Sequence, residues 1–459
     1  MSRTTIVAVR GRRVWDSRAR PTVEAEVELA CGVVGRGIAP AGASTGSGEA
    51  LDRRDGGPRL GGFDVRGAVA AVNGEIARAL SGCEATDQEA VDRRLVELDG
   101  TPDKSRLGAN ALLAVSIATA NAAAAAHGLP LWRWLGGTEA RGLPLPEIQI
   151  LGGGRHAHGR IDIQDVLVVC PGARSFAQAL EWTAEVYRSA GELLAEAGKL
   201  RGVADEGGFF PEVANNEEAI ALVARAIERA GLRAGEEVAI ALDIAASSFG
   251  REGRYRLSAE GRELDTEAMI ELLAAWIARY PIVSIEDPLA EDDLDGFSAF
   301  TARFGERIQI VGDDLLVTSA TRIERAAFEG WCTAVLLKPN QVGTLSETGA
   351  AWRAARDGGL GGIVSARSGE SEDTTIVHLC VGWGVPQLKV GAMARGERTA
   401  KWNEALRIEE TLGPRARFSG GAALRRPVRG DDAGVLRSPG ALATVLPKDR
   451  ARSEKTEAS

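Results

Sequence analysis

Seven short apolar runs, spaced by stretches long enough to be helices, constrain this chain more than any other feature. They are Val166–Cys170, Ala239–Leu242, Ile282–Ile285, Ile308–Val311, Ala334–Leu337, Gly362–Ser365 and Gln387–Val390. Helical patterns lie between several of them: Phe176–Ala197 with Ser175 as its N-cap, Glu217–Ala230, and Thr266–Ala278. Strand, loop and helix recurring at this length predict an α/β chain built around a barrel of parallel strands. The 56 glycines supply the many tight turns such a barrel needs. With 459 residues there is room for a barrel of about 250 residues and something smaller besides.

The front of the chain has a different rhythm. Thr22–Leu29 alternates, with Val23, Ala25, Val27 and Leu29 on one face and Glu24, Glu26 and Glu28 on the other, which predicts a half-buried strand. From about Val65 to Ala126 the period becomes helical, and Gly128-Leu129-Pro130 ends it. The expected organisation is an α+β domain over 1–135, a barrel over 136–428 and a polar, mobile tail over 429–459. A net charge of -9 without a basic stripe argues against nucleic acid as a partner, yet leaves a small anionic substrate compatible. Five scattered cysteines without a CxxC pair argue against a zinc ribbon or a disulfide framework. Ala109–Ala126 is the most apolar stretch. Asn110, Ser116, Thr119 and Asn121 interrupt it, so it reads as a buried helix and no membrane partner is expected. The N-terminus lacks the pattern of a signal peptide, and a soluble, cytoplasmic protein is expected.

Barrels carry their chemistry at the C-terminal ends of their strands. Here Asp243, Glu286 and Asp313 each follow an apolar run directly. Three acids in register suit an oxygen-ligand site for Mg²⁺; singly, each reads equally as a helix cap or a surface pair. Lys338 ends the next run, and Arg367, Ser368 and Lys389 follow later. A lysine beside a divalent cation can be held neutral and serve as a base, or it can simply pair with the acids. Asp205-Glu206-Gly207-Gly208 and Gln164-Asp165 place further acids nearby in the chain, where crowding can keep one protonated as a general acid, or where they form only a turn. Gly42–Gly46 is either a mobile lid or a hairpin turn, and His156 lies in a glycine-rich loop.

The order of these motifs resembles the enolase family over residues 4–420. The matching strings are Asp16-Ser17-Arg18 with Pro21-Thr22, GASTG at 42–46, LDGT at 98–101, LGANA at 107–111 and DEGGF at 205–209. YPIVSIEDPL at 280–289, VGDDLLVT at 311–318, NQVGT at 340–344 and RSGE at 367–370 continue the series, and Ala400-Lys401 with Asn403 ends it. The resemblance implies an enolase-type (β/α)8 barrel behind an α+β domain, and a hydro-lyase that removes the proton α to a carboxylate and then expels a β-hydroxyl. It implies two Mg²⁺ ions: one on Asp243, Glu286 and Asp313, the other reached by Ser44. Lys338 matches the base and Glu206 the acid that helps hydroxide leave. Lys389 matches the partner of the substrate carboxylate, Arg367 and Ser368 match the phosphoryl-binding pair, and His156 matches a histidine that closes over the substrate. A homodimer or larger homo-oligomer is expected on the same grounds. Two cations and a lysine answer the charge problem of the reaction, because the intermediate carries extra negative charge that only fixed positive groups can stabilise.

The chain departs from the family pattern near this site. Ala366 stands where the family's HRSGE has histidine, Asp165 where it has glutamate, and Ala41 where it has serine; Arg155 enters the loop before His156. The lost imidazole and the missing methylene predict added space at the hydroxyl and phosphoryl end. The expected substrate is thus a 2-phosphoglycerate-like acid with a further anionic group on phosphorus. The corresponding branch of the family converts 2-phosphonoformylglycerate to carboxyphosphonoenolpyruvate in phosphinothricin-type antibiotic biosynthesis. The alternatives are the ordinary dehydration of 2-phosphoglycerate to phosphoenolpyruvate, and a non-catalytic scaffold on the same fold.

Overall fold

The computed structural model describes residues 2–43, 46–154 and 161–424. Strands β1 (Ile6–Trp15), β2 (Pro21–Leu29) and β3 (Val34–Ile38) form an antiparallel sheet in that order. As the alternation predicts, Val23, Ala25, Val27 and Leu29 are buried at 0–1% exposure. Glu24, Glu26 and Glu28 pair on the other face with Arg10, Arg12 and Arg36. Helix α1 (Gln88–Asp99) and the alanine-rich α2 (Ala109–Ala126) are this domain's longest helices, joined by shorter helical segments at Arg66–Ala71, Ala77–Leu80 and Leu131–Gly136. Helix α2 lies unusually close to β3. A Cβ on Gly35 would sit 2.2 Å from the carbonyl oxygen of Ala118, and one on Gly37 2.5 Å from that of Ala114. Small residues on both elements permit the approach. Among the described residues α2 is the one helix long and apolar enough to cross a membrane, and 89% of it is buried within the molecule.

The barrel strands are β4 (Leu145–Gly152), β5 (Asp165–Val169), β6 (Ala239–Asp243), β7 (Ile282–Glu286), β8 (Gln309–Gly312), β9 (Ala334–Leu337), β10 (Gly361–Ser365) and β11 (Gln387–Gly391). They pair in sequence order, and β11 returns to β4 to close the barrel. Two features differ from the sequence-based expectation. First, β4 is an eighth strand outside the seven apolar runs; Glu147 and Gln149 break its apolar pattern although all eight of its residues are buried. Second, β5 runs antiparallel to both neighbours, so the sheet is not wholly parallel. No helix intervenes between β4 and β5 among the described residues, so β5 returns directly along its neighbour. Two helices, α3 (Phe176–Glu196) and α4 (Asn216–Arg229), then lead to β6. From there strands and helices alternate through α5 (Thr266–Arg279), α6 (Leu294–Phe304), α7 (Ala320–Glu329), α8 (Leu345–Asp357), α9 (Thr375–Trp383) and α10 (Gly396–Leu412). Ser175 caps α3 as expected, its side chain accepting from the Gln178 N–H.

Side chains at i and i+2 on the strands fill the barrel in layers. A lower polar layer crosses the interior: Ser284 Oγ to Gln309 Oε1 at 3.0 Å, and Gln309 Nε2 to Gln387 Oε1 at 2.6 Å. Two residues further along β7 and β11 come Glu286 and Lys389. The chemistry-bearing side chains therefore form the layer above this one, at the mouth.

Candidate active site

Asp243, Glu286 and Asp313 converge at that mouth, held by strand register: Asp243 is the partner of Glu286, and Val311 that of Glu286 on the other side. Two lysines are threaded through them. Lys389 Nζ donates to Asp243 Oδ2 at 2.8 Å and to Glu286 Oε2 at 2.7 Å. Lys338 Nζ pairs with Asp313 Oδ2. Gln164 Nε2 also reaches Asp243, at 3.0 Å, and Gln341 Nε2 reaches Asp313 at 3.1 Å. Asp165 sits at the mouth although it begins its strand. Because β5 is antiparallel, its first residue lies beside Asp243, and Gln149 on β4 donates to its carboxylate. Glu206 and Ser368 line the same small cavity as Lys338, Lys389, Asp165 and Arg367. Gly207, at φ +92, turns the chain directly after Glu206; a Cβ there would meet the Ala394 carbonyl at 2.6 Å. Ser44, His156 and Arg155 lie outside the described residues.

The charges respond to burial and to one another. Burial and then the neighbouring Asp243 push the Glu286 carboxyl well above its ordinary value. Burial works against the Lys389 ammonium, but Asp243 and Glu286 outweigh it and hold its proton more tightly than usual. Burial likewise opposes both partners in the Lys338–Asp313 pair, and the pairing prevails, holding the Lys338 value up and the Asp313 value down. Of the two roles open to Lys338 from sequence, pairing with the acids is the one seen in this structure.

Residues to which the sequence reading assigned no role complete the site. Glu49 forms a two-pronged pair with Arg367, Nη1 to Oε2 at 3.0 Å and Nη2 to Oε1 at 3.3 Å, and Asn340 accepts from the same guanidinium at 2.9 Å. From α10, Arg398 donates to the carbonyls of Arg367, Ser368 and Val390, and Lys401 to that of Ser371 at 2.7 Å. These two fully buried cations pin the loop that carries Arg367 and Ser368. The string containing Lys401 was visible in the sequence, but nothing in it showed that its lysine reaches back to this loop.

Residues 140–427 match the enolase C-terminal TIM barrel domain, and residues 6–135 match the enolase N-terminal domain. An enolase of Rubrobacter xylanophilus is 49% identical over 427 residues, covering 93% of this chain and 99% of that relative. The chain belongs to the enolase family. As a member it is a carbon–oxygen lyase of the hydro-lyase type.

Enolases depend on Mg²⁺, and the donor set here fits such an ion. Glu286 is 1% exposed, and its Oε1 has no hydrogen-bond partner among the described residues. A buried carboxylate oxygen left without a donor is costly, and a hard cation at the mouth would satisfy it. Asp287, Asp313 and Asp314 form another tight acidic group. Asp287 has a different task within it: its two oxygens accept from the backbone N–H groups of Asp313 and Asp314, at 2.9 and 2.8 Å. It braces the turn that presents Asp313, whose own carboxylate faces Lys338.

Proposed function

We propose that this enolase dehydrates 2-phosphoglycerate to phosphoenolpyruvate at the barrel mouth. The observation that carries the reading is the interleaving of three acids with two lysines beside a buried arginine, with one Glu286 oxygen unsatisfied. Asp243, Glu286 and Asp313 would hold Mg²⁺, which supplies Lewis-acid stabilisation of the substrate carboxylate. Lys338, freed from Asp313 once that carboxylate is engaged elsewhere, would release its own proton to solvent and, as the neutral amine, take the α-proton. Glu206, which lines the same cavity, returns a proton to the departing hydroxyl. Lys389 orients the carboxylate, while Arg367 and Ser368 hold the phosphoryl group. Ser44 and a second ion, and His156, remain part of the reading through their motifs. Soluble phosphorylated acids suit a cytoplasmic setting, and a homodimer is the usual assembly of the family.

The substrate expected from the sequence, with an extra anionic group on phosphorus, rested on space opened by Ala366 and Asp165. Neither residue supports it. Gln149 engages the shortened Asp165, and Ala366 packs into the barrel core at 7% exposure. High identity along almost the whole of an enolase also favours the ordinary reaction. The test is turnover of each acid by the purified protein with Mg²⁺, followed by absorbance of the enol product. Fast turnover of 2-phosphoglycerate is expected. Turnover of 2-phosphonoformylglycerate alone would overturn the proposal, and turnover of neither, with no Mg²⁺-dependent thermal shift, would favour the scaffold.

A further inference from the structure

We propose that Glu49 is an internal stand-in for the anion that Arg367 binds, and that an incoming phosphoryl group takes the guanidinium by expelling it. This rests on the reading of Arg367 as the phosphoryl anchor. Arg367 is 4% exposed, and Glu49 covers its Nη1–Nη2 edge with both carboxylate oxygens. A guanidinium offers that same edge to a phosphate. Without an anion a buried guanidinium is strongly destabilising, so some counter-charge must always be present. A carboxylate and a phosphoryl dianion on one edge, however, repel each other at close range in a medium of low dielectric constant. One of them must yield.

The surroundings favour departure of Glu49. The cavity at the barrel mouth, about 20 Å³, is too small as it stands for a phosphorylated three-carbon acid, so side chains lining it must move when one binds. Glu49 also borders a second cavity of about 460 Å³, whose lining carries three cations, Arg18, Arg20 and Arg54, and two further acids, Asp52 and Glu291. A carboxylate swinging away from Arg367 therefore finds space and, with Arg54 already paired to Asp52 at 2.7 Å, the guanidinium groups of Arg18 and Arg20 in the same lining. Its remaining ties are slight: it accepts from the Gly46 N–H at 3.1 Å and from Gln341 Nε2 at 3.2 Å. The segment before it is docked by exposed bonds, Ser47 N–H to Glu291 at 3.1 Å and Arg322 to the Ser47 carbonyl at 3.0 Å, while Ala50 and Leu51 after it are fixed by backbone bonds of 2.8 and 2.7 Å to Gln341 and Asp103, so it is the Glu49 side chain that swings. Gln341 also donates to Asp313, so the exchange at Arg367 is transmitted to a metal-site acid.

Inorganic phosphate is the probe. Its binding to the full chain in the presence of Mg²⁺ is measured by calorimetry for the wild type, Glu49→Gln, Arg367→Gln and the double variant, with thermal melts to establish folding. Glu49→Gln is expected to bind phosphate about tenfold more tightly, ~1.4 kcal/mol, and the gain should vanish when Arg367 is also glutamine. Glu49→Asp keeps the charge at a longer reach. It should shift the constant in the same direction by a smaller factor, and serves if the glutamine variant folds poorly. If neither variant binds phosphate more tightly, while Arg367→Gln has lost binding, Glu49 is a fixed brace and the proposal falls. Undiminished phosphate binding by Arg367→Gln would instead overturn the anchor reading on which it stands.

Discussion

Replacing Glu147 by glutamine should remove a pH-dependent weakness from the barrel. Glu147 is 1% exposed on β4, and its Oε2 has no hydrogen-bond partner among the described residues. Burial pushes its carboxyl up from 4.5 to about 7; Lys389 pulls it down, and Asp243 and Asp165 add to the rise. The folded chain thus holds this proton more tightly than the unfolded chain does. The stability linked to it is complete below about pH 4.5, is lost as pH rises through about 7, and changes no further above that. A shift of this size corresponds to ~3 kcal/mol, of which ~2.5 kcal/mol falls between pH 5 and pH 8. Glutamine matches glutamate in shape and does not titrate, so whatever its buried amide costs is the same at every pH. Urea unfolding of the metal-free wild type and of Glu147→Gln, at pH 5 and at pH 8, isolates the effect. The stability difference between the two proteins should move by ~2.5 kcal/mol in favour of the variant on going to pH 8. Parallel pH dependence would refute the argument, because it would mean that Glu147 ionises as easily in the fold as in the open chain.

Lys338→Ala should stop exchange of the substrate α-proton with deuterated solvent, whereas Glu206→Gln should preserve exchange and slow loss of water by about 10²–10⁴-fold; NMR of the substrate together with product absorbance separates the two. Glu286→Gln removes a charge from the proposed ligand set and should raise the Mg²⁺ concentration for half-maximal activity by at least about tenfold, with the uncatalysed background unchanged; equal Mg²⁺ dependence would remove Glu286 from that set. Arg398→Met leaves the carbonyls of Arg367, Ser368 and Val390 without their cationic donor. It should cost ~3 kcal/mol of stability in urea unfolding and raise KM for 2-phosphoglycerate more than it lowers kcat.

How much of this was legible in the sequence depends on the physical cause of each feature. Most barrel strands are covered by helices outside and side chains inside, so they read as short continuous apolar runs whatever their order. Their terminal acids and lysines stood out because a charge directly after such a run has few places to go but the mouth. Strand β4 escaped for the converse reason: Glu147 and Gln149 point into a polar interior and imitate a surface segment. The direction of β5 was equally invisible, since an apolar run has no polarity of its own, and Asp165 therefore lay at the unexpected end of its strand. Glu49 was the hardest to see. It lies 318 residues from Arg367 in the chain, and neither local sequence carries any mark of the other.

Asp165 shows the limit of reading a substitution as a volume. Judged from the sequence, a glutamate shortened to aspartate subtracts a methylene, and the subtraction looks like room for a larger substrate. In the folded chain the carboxylate is held by a glutamine on the adjacent strand, which reaches across to meet it, while Gly208 donates its N–H to the other end of that same glutamine at 2.7 Å. The shorter acid is one member of a chain of hydrogen bonds from the loop after Glu206 to the floor of the site. Such a chain fixes position more than it creates space. A substitution in a barrel mouth is therefore judged with its cross-strand neighbour, because strand register, and not proximity in the sequence, decides which side chain takes up the slack.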